Sequence, residues 1–197
     1  DFDNYLCSSY IYQYHRLLQV YALGNLRDFV HYIGTSPAML LYLNGNESVV
    51  GSPNENYARE LMELFTMGEN NGYTEQDISE MARALTGWQA SLDTCGPAYL
   101  DPELFDDSDK TIFGQTGNWR NDADPAHANN VVNLIFTYRA NEVATRICTK
   151  LYEYFVSAEV EATIVSEMVA TLQANNFEIA PVLRQLFKSE HFFDVAT

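Results

Sequence analysis

Apolar residues recur at helical spacing along most of the chain. Between Tyr5 and Leu23 they fall at Leu6, Tyr10, Tyr14, Leu17, Leu18, Tyr21 and Ala22, a 3.6-residue period that Gly24 stops. Asn25 is placed to cap a second helix with Leu26, Phe29, Val30 and Ile33 on one stripe and Gly34 at its end. Ser36-Pro37 is a cap followed by proline at the first helical position, where its missing N–H costs nothing, and this helix runs to Leu43 before Asn44-Gly45. Asn54 caps a helix from Glu55 to about Met67 with Tyr57, Leu61, Leu64 and Phe65 as its buried face, and Gly68 is a left-handed stop. Thr74 with Asp77 reads as a capping box, opening a helix lined by Ile78, Met81, Ala82 and Leu85 and closed by Gly87.

The helical period then disappears. From Trp88 to Asp124 glycine, proline and aspartate accumulate. A loop of that length with no structure of its own is unusual in a compact domain, so a short hairpin is expected there. Tyr99–Phe105 and Thr111–Phe113 are the candidate strands, with Asp106 to Asp109 turning between them. Asp124-Pro125 restarts helix in the cap-then-proline manner, with a stripe of Val131, Leu134, Ile135 and Tyr138. Helical stripes follow over 140–156, 159–174 and 179–189. The expectation is an all-α fold, a multi-helix orthogonal array with a small β-hairpin or irregular insertion around residues 99–114. Residues 1–197 form one helical domain, with 88–124 as the insertion. No tandem repeat of fixed period is present.

Charge narrows the partners. The chain carries 27 acidic and 11 basic residues, a formal net charge of −16, and has no cluster of Lys or Arg. Binding to a nucleic-acid backbone or an anionic membrane surface is therefore not expected. A basic protein or a divalent cation fits better, and solubility alone also accounts for such acidity. No run of apolar residues is long enough to span a bilayer. Cys7, Cys95 and Cys148 match no zinc-site spacing. Cys148 lies in an apolar helical stripe and reads as a small buried hydrophobe; Cys7 and Cys95 can pair, which sequence alone does not decide. The chain starts at Asp1, in a helix-like pattern and without Met, as expected of a processed product or part of a longer protein.

Polar groups concentrate around the two helices at 54–88. Glu55, Arg59, Glu60, Glu63 and Arg83 read as an ion-pair network in which Arg59 is an enclosed anchor reaching Glu63, Glu55 or a carboxylate of the next helix. Arg83 is expected to reach the carbonyls between Gly68 and Tyr73 or an acidic group of the first helix. The alternative is that these carboxylates bind a hard metal ion or act as acid and base. Asp106, Asp107 and Asp109 offer oxygens for Ca²⁺ or another divalent cation, without the spacing of a helix–loop–helix calcium site; a solvated turn is the plainer reading and no cofactor is expected. Trp88 reads as packed under the hairpin with its indole N–H bonded, and Trp88 and Trp119 are the alternative ligand platforms. Polymer binding would need a flat exposed row including Trp119, Tyr99 or Tyr152. His15, His31, His127 and His191 lack metal-binding spacing, and no nucleophile elbow, phosphate-binding loop or dinucleotide fingerprint is present.

Several segments taken together resemble the bacterial "domain of unknown function 1800" family. They are Arg27-Asp-Phe, Pro37-Ala-Met-Leu, Tyr42-Leu-Asn-Gly45, the run Pro53 to Gly68, Gly72-Tyr-Thr-Glu-Gln-Asp77, Ala82-Arg-Ala-Leu-Thr-Gly-Trp88, Lys110-Thr-Ile-Phe-Gly114 and Lys150 to Val156. They stand in the family's order and cover most of the chain. The resemblance implies a mainly helical protein, longer than this chain, exported to the periplasm or cell surface. It also implies a further N-terminal helical region, so the expected partner is that segment or another envelope protein. The family's His-Pro is replaced by Tyr138-Arg139, so no role transfers there, and the family supplies no catalytic mechanism. The expected role is a structural or interaction module; the alternatives are a metal-assisted hydrolase and a carbohydrate- or polymer-binding protein.

Overall fold

A computed structural model describes residues 7–194. Helices α1 (Ser8–Tyr21), α2 (Leu26–Gly34), α3 (Pro37–Tyr42), α4 (Glu55–Glu60) and α5 (Glu75–Ala84) form the first half. Strands β1 (Trp88–Gln89), β2 (Tyr99–Leu100), β3 (Lys110–Ile112) and β4 (Gln115–Gly117) follow. Helices α6 (Val131–Tyr138), α7 (Ala140–Phe155), α8 (Ala162–Ala174), α9 (Ile179–Lys188) and α10 (Glu190–Asp194) complete it. The largely helical array agrees with the pattern reading. Tyr5 and Leu6, expected in the first helix, lie outside the described residues.

Four of the predicted caps form. Asn25 accepts from the amides of Arg27 and Asp28, Ser36 from Met39, and Asn54 from Asn56. Thr74 and Asp77 complete a capping box, each satisfying a donor that the first helical turn leaves unpaired. Asn25 also ties the ends of the fold together. Its amide donates to the Asn176 carbonyl at 2.8 Å, while the Leu26 amide donates to the Phe177 carbonyl at 2.9 Å. One apolar core runs from Leu26 on α2 to Leu186 on α9, with Leu61, Met62, Met81, Ile112, Ile135 and Leu172 fully buried within it.

Three details differ from expectation. First, α4 does not continue as a regular α-helix. Its last stretch, Leu61–Thr66, is a π-helical segment, and the Thr66 hydroxyl donates to the Leu61 carbonyl at 2.6 Å. The wider turn rotates the following side chains, so Met62 is buried and Leu64, predicted inside, is 60% exposed. Second, Tyr99–Phe105 does not pair with Thr111–Phe113. There are two separate antiparallel hairpins: β1 with β2, Trp88 opposite Leu100, and β3 with β4, Lys110 opposite Gly117. Phe113 and Gly114 form the two-residue turn of the second, with φ of 52° and 75°, the paired left-handed geometry that matches strand twist. Third, α6 starts at Val131, capped by Asn130, not at Asp124-Pro125. The Asp124 carboxylate instead accepts from the amide of Ala126 in a local turn.

Gly34 does end α2, but close approach is the reason for glycine there. A Cβ added at Gly34 would sit 1.8 Å from the hydroxyl of buried Tyr57. Gly34→Ala is therefore expected to lower stability by roughly 1–3 kcal/mol, as overpacking does, although alanine is the better helix former. Urea titration reads the sign: a neutral or stabilising alanine would show that Tyr57 withdraws freely.

Candidate functional site

The polar face of α5 organises the region. Asp77, Glu80 and Arg83 recur every third residue, with Thr86 one step past the helix end, and each grips the segment 106–113 running the opposite way. The Phe113 amide donates to Asp77 Oδ1 at 2.6 Å. The Thr111 amide donates to Glu80 Oε2 at 3.1 Å. Arg83 Nε donates to Asp106 Oδ2 at 2.8 Å, and the guanidinium also reaches the Ser108 hydroxyl and the Asp109 carbonyl. Thr86 Oγ1 accepts from the Asp106 amide at 2.8 Å. The opposite face of α5, with Ile78, Met81 and Ala82, is in the core. A period-three polar stripe beside an apolar stripe is what a helix needs to bury one face and staple an irregular segment with the other.

Asp77 joins two tasks. Its Oδ2 accepts from the Thr74 amide and hydroxyl, both at 2.8 Å, while Oδ1 holds Phe113. Phe113 is bulky and sits at positive φ, a conformation that costs on the order of 1–2 kcal/mol for an L-residue. The Arg139 guanidinium lies 4.5 Å from its ring centroid. Arg139 also donates to the Gly72 carbonyl. The loop carbonyls expected for Arg83 are thus served by Arg139, and Arg83 turns to the hairpin instead.

Arg59 is not the enclosed anchor expected. Its side chain is 37% exposed, and its main partner, Glu75, is 77% exposed. The contact is bidentate, at 2.7 and 3.1 Å, with Glu63 at 3.4 Å and Glu55 at 3.9 Å. Glu63 also accepts from the Tyr73 hydroxyl at 2.8 Å, and that hydroxyl accepts from the Asn70 amide. The group therefore clamps the α4–α5 turn at the surface, where such pairs contribute little. Glu60 pairs with no basic group among the described residues. The better-enclosed pair is Arg83 with Asp106, at 25% and 15% exposure.

The aspartate loop is arranged around internal cations. Burial alone would raise the Asp106 pKa, but Arg83 and the Ser108 hydroxyl and amide outweigh it and hold the carboxyl at about 2. Such a group is a weak proton acceptor at neutral pH. Lys110, buried to 1% exposure, donates to the Asp106 carbonyl and lies 4.4 Å from the Phe105 ring centroid. Desolvation lowers its pKa to about 8. Asp107 and Asp109 stay at the surface. Among the described residues no three His, Cys, Asp or Glu side chains gather as a group able to hold a metal ion.

The aromatic residues do not make a flat row. Trp88 is 5% exposed and donates its indole N–H to the Asn121 carbonyl at 2.7 Å. Trp119 is half-buried against Gly117 and donates to the Gln115 carbonyl at 3.0 Å. Tyr152 is 1% exposed, whereas Tyr99 is 56% exposed. Of the histidines, His191 meets the Tyr152 hydroxyl at 2.7 Å, and His127 lies 3.3 Å from an Arg120 nitrogen. His15 is exposed beside Tyr14.

His31 is buried at 1% exposure, with Nδ1 3.3 Å from the Asn130 amide nitrogen. Asn130 donates to the Asp122 and Asp124 carbonyls and caps Val132.

Three of the segments resembling one family are thus physical partners. Those carrying Asp77, Arg83 and Lys110 meet along one face of α5. A family model described as "Protein of unknown function (DUF1800)" matches residues 2–197. The chain belongs to the DUF1800 family. No curated protein and no solved structure matches it. In this DUF1800 chain the sequence pointed to Glu55, Arg59, Glu60, Glu63 and Arg83 as one network. The structure divides them between a surface clamp of Glu55, Arg59 and Glu63 and the α5 stripe with Arg83, and leaves Glu60 outside both. Asp77, Glu80 and Lys110 were missed as contributors to the stripe and hairpin. The i,i+3 repeat of polar residues opposite the apolar face of α5 was the available signal.

Two measurements check this description. Asp77→Ala should destabilise by about 2–3 kcal/mol through the lost cap and the orphaned Phe113 amide; Arg59→Ala should cost under about 1 kcal/mol. Amide exchange at Phe113 should rise in the first variant only, and the reverse ranking would contradict the assignment. Desolvation lowers the His31 pKa below 6.5, partly offset by the Ala123 carbonyl and nearby acidic groups. The unfolded chain then binds more protons than the folded one. Stability is retained above the unfolded pKa and lost as pH falls below it, at up to about 1.4 kcal/mol per pH unit. Urea midpoints compared between pH 7.5 and 5.5 should show this fall in the native chain and a smaller one in His31→Gln; equal falls would contradict it.

Proposed function

We propose that this chain is an exported structural or interaction module, working in the cell envelope or extracellular space. The observation that carries the reading is the Cys7–Cys95 disulfide, which joins residues 88 apart in sequence with Cα atoms 5.7 Å apart. Disulfides form and persist in oxidising compartments. Closing a loop of this size stabilises a fold by about 4–5 kcal/mol in the chain-entropy account. Cys148, the remaining cysteine, is buried and free.

The bridge fastens α1 to the loop between β1 and β2, where the Tyr10 hydroxyl also donates to the Ser91 carbonyl at 2.7 Å. The far side of α1 is open and mixed: Tyr12 is 67%, Val20 59% and the adjacent Leu23 60% exposed, with the exposed Arg16 and Gln19 between them. A tethered helix that presents large apolar side chains among polar ones supports an interaction role. The partner we favour is a preceding helical region of the same protein, with another envelope protein as the second choice. Among the described residues no helix is long and apolar enough to cross a membrane. The well-placed carboxylates favour a structural role over hydrolysis, since Asp77, Asp106 and Glu63 are each already engaged by donors of the fold.

Protein isolated from its native source and labelled with a thiol reagent in denaturant, without reductant, should take up one label, at Cys148. Three labels on freshly isolated protein would overturn the exported reading.

A further inference from the structure

An unused depression lies where α4 ends. It is open to solvent, measures about 540 Å³ and is lined by Glu63, Leu64 and residues 67–71, together with Thr145 and Arg146 of α7. That volume suits a small ligand. Its backbone is unusual in three successive places. The lining begins in the π-helical segment Leu61–Thr66, continues through Gly68 at φ 98°, and ends at Asn70 at φ 56°. Irregular helix and left-handed non-glycine backbone concentrate at functional sites. The geometry is fixed from within. Met67 and Gly68 both donate their backbone amides to the Met62 carbonyl, at 2.9 and 3.1 Å, and the Asn71 side-chain amide donates to the Met67 carbonyl at 2.8 Å.

Two charged side chains reached by solvent, Arg146 and Glu69, line the depression. Arg146 is half-buried, and its aliphatic stem passes 3.4 Å from the position a Cβ would take on Gly68. Among the described residues neither Arg146 nor Glu69 makes an ion pair or a side-chain hydrogen bond. A cation and an anion thus line one depression without pairing. A lone anion would face Glu63 and Glu69, and a lone cation would face Arg146. A molecule carrying both charges pairs with each, because guanidinium binds carboxylate in a planar fork and carboxylate accepts from ammonium. Leu64, 60% exposed, offers apolar contact to a side chain.

We propose that this depression binds a small zwitterion, an amino acid or short peptide, with its carboxylate on Arg146 and its ammonium on Glu69. This inference stands independently of the exported reading. Calorimetric titration of the full chain with the dipeptide alanylalanine at low salt tests it. Saturable one-to-one binding is expected. Arg146→Gln and Glu69→Gln should each weaken it about tenfold or more, and Arg184→Gln, at another basic residue, should leave it unchanged. N-acetyl-alanylalanine amide, which lacks both charges, should not bind. Thermal unfolding of each variant establishes that it remains folded. Absence of saturable heat, binding that survives both substitutions in folded protein, or equal binding of the blocked peptide or of glucose would overturn the proposal.

Discussion

The structure depends on a helix that must satisfy an irregular chain segment as well as fill the core. α5 buries Ile78, Met81 and Ala82 on one side and presents Asp77, Glu80, Arg83 and Thr86 along the other. Residues 106–113 lack the strand partners that would satisfy all their backbone donors, and an unpaired donor buried away from water costs about 1–3 kcal/mol. Asp77, Glu80 and Thr86 each accept from one such donor, while Arg83 donates to the acceptors of Asp106, Ser108 and Asp109. The hairpin can then place Ile112 in the core while its turn adopts the left-handed backbone at Phe113 and Gly114.

Other ties extend the same logic outward. Arg139, at the start of α7, spans the Phe113 ring and the Gly72 carbonyl, coupling the hairpin turn to the α4–α5 connection. Lys110 accepts the cost of burial in exchange for the Asp106 carbonyl and the Phe105 ring face. Asn25 and Asn130, both buried, each cap a helix with one end of the amide and bind distant loop carbonyls with the other. Several charges are thereby used inside the chain's own architecture. Arg146 and Glu69, which line one depression without pairing, are not among them.

Much of the helical frame was legible in the sequence because its signals are local. Asn25, Ser36, Asn54 and Thr74 each announce a helix start through their own side chain, and Gly68 announces a stop through its backbone freedom. The π-helical segment was not legible, since Leu64 fits a 3.6-residue stripe and only tertiary packing rotates it outward. The hairpins were misplaced for a related reason. Two- and three-residue strands carry almost no period, and Phe113 gives no hint of a left-handed turn when the holding group, Asp77, lies 36 residues away. Arg59 was overrated because local i,i+4 partners are visible in sequence and exposure is not. Arg83 was mis-aimed because Asp106 is reached only across a non-local contact.

The central claim is that Arg83 and Asp106 act as a coupled pair, binding the hairpin segment to α5. A double-mutant cycle measures this directly, with Arg83→Ala, Asp106→Ala and the combined variant compared with the native chain by urea unfolding. The coupling energy should be roughly 1.5–3 kcal/mol, the range of a charge-assisted, partly buried contact. Single effects that simply add, to within about 0.5 kcal/mol, would mean that the two residues stabilise the fold separately and that α5 does not hold the hairpin in the way described.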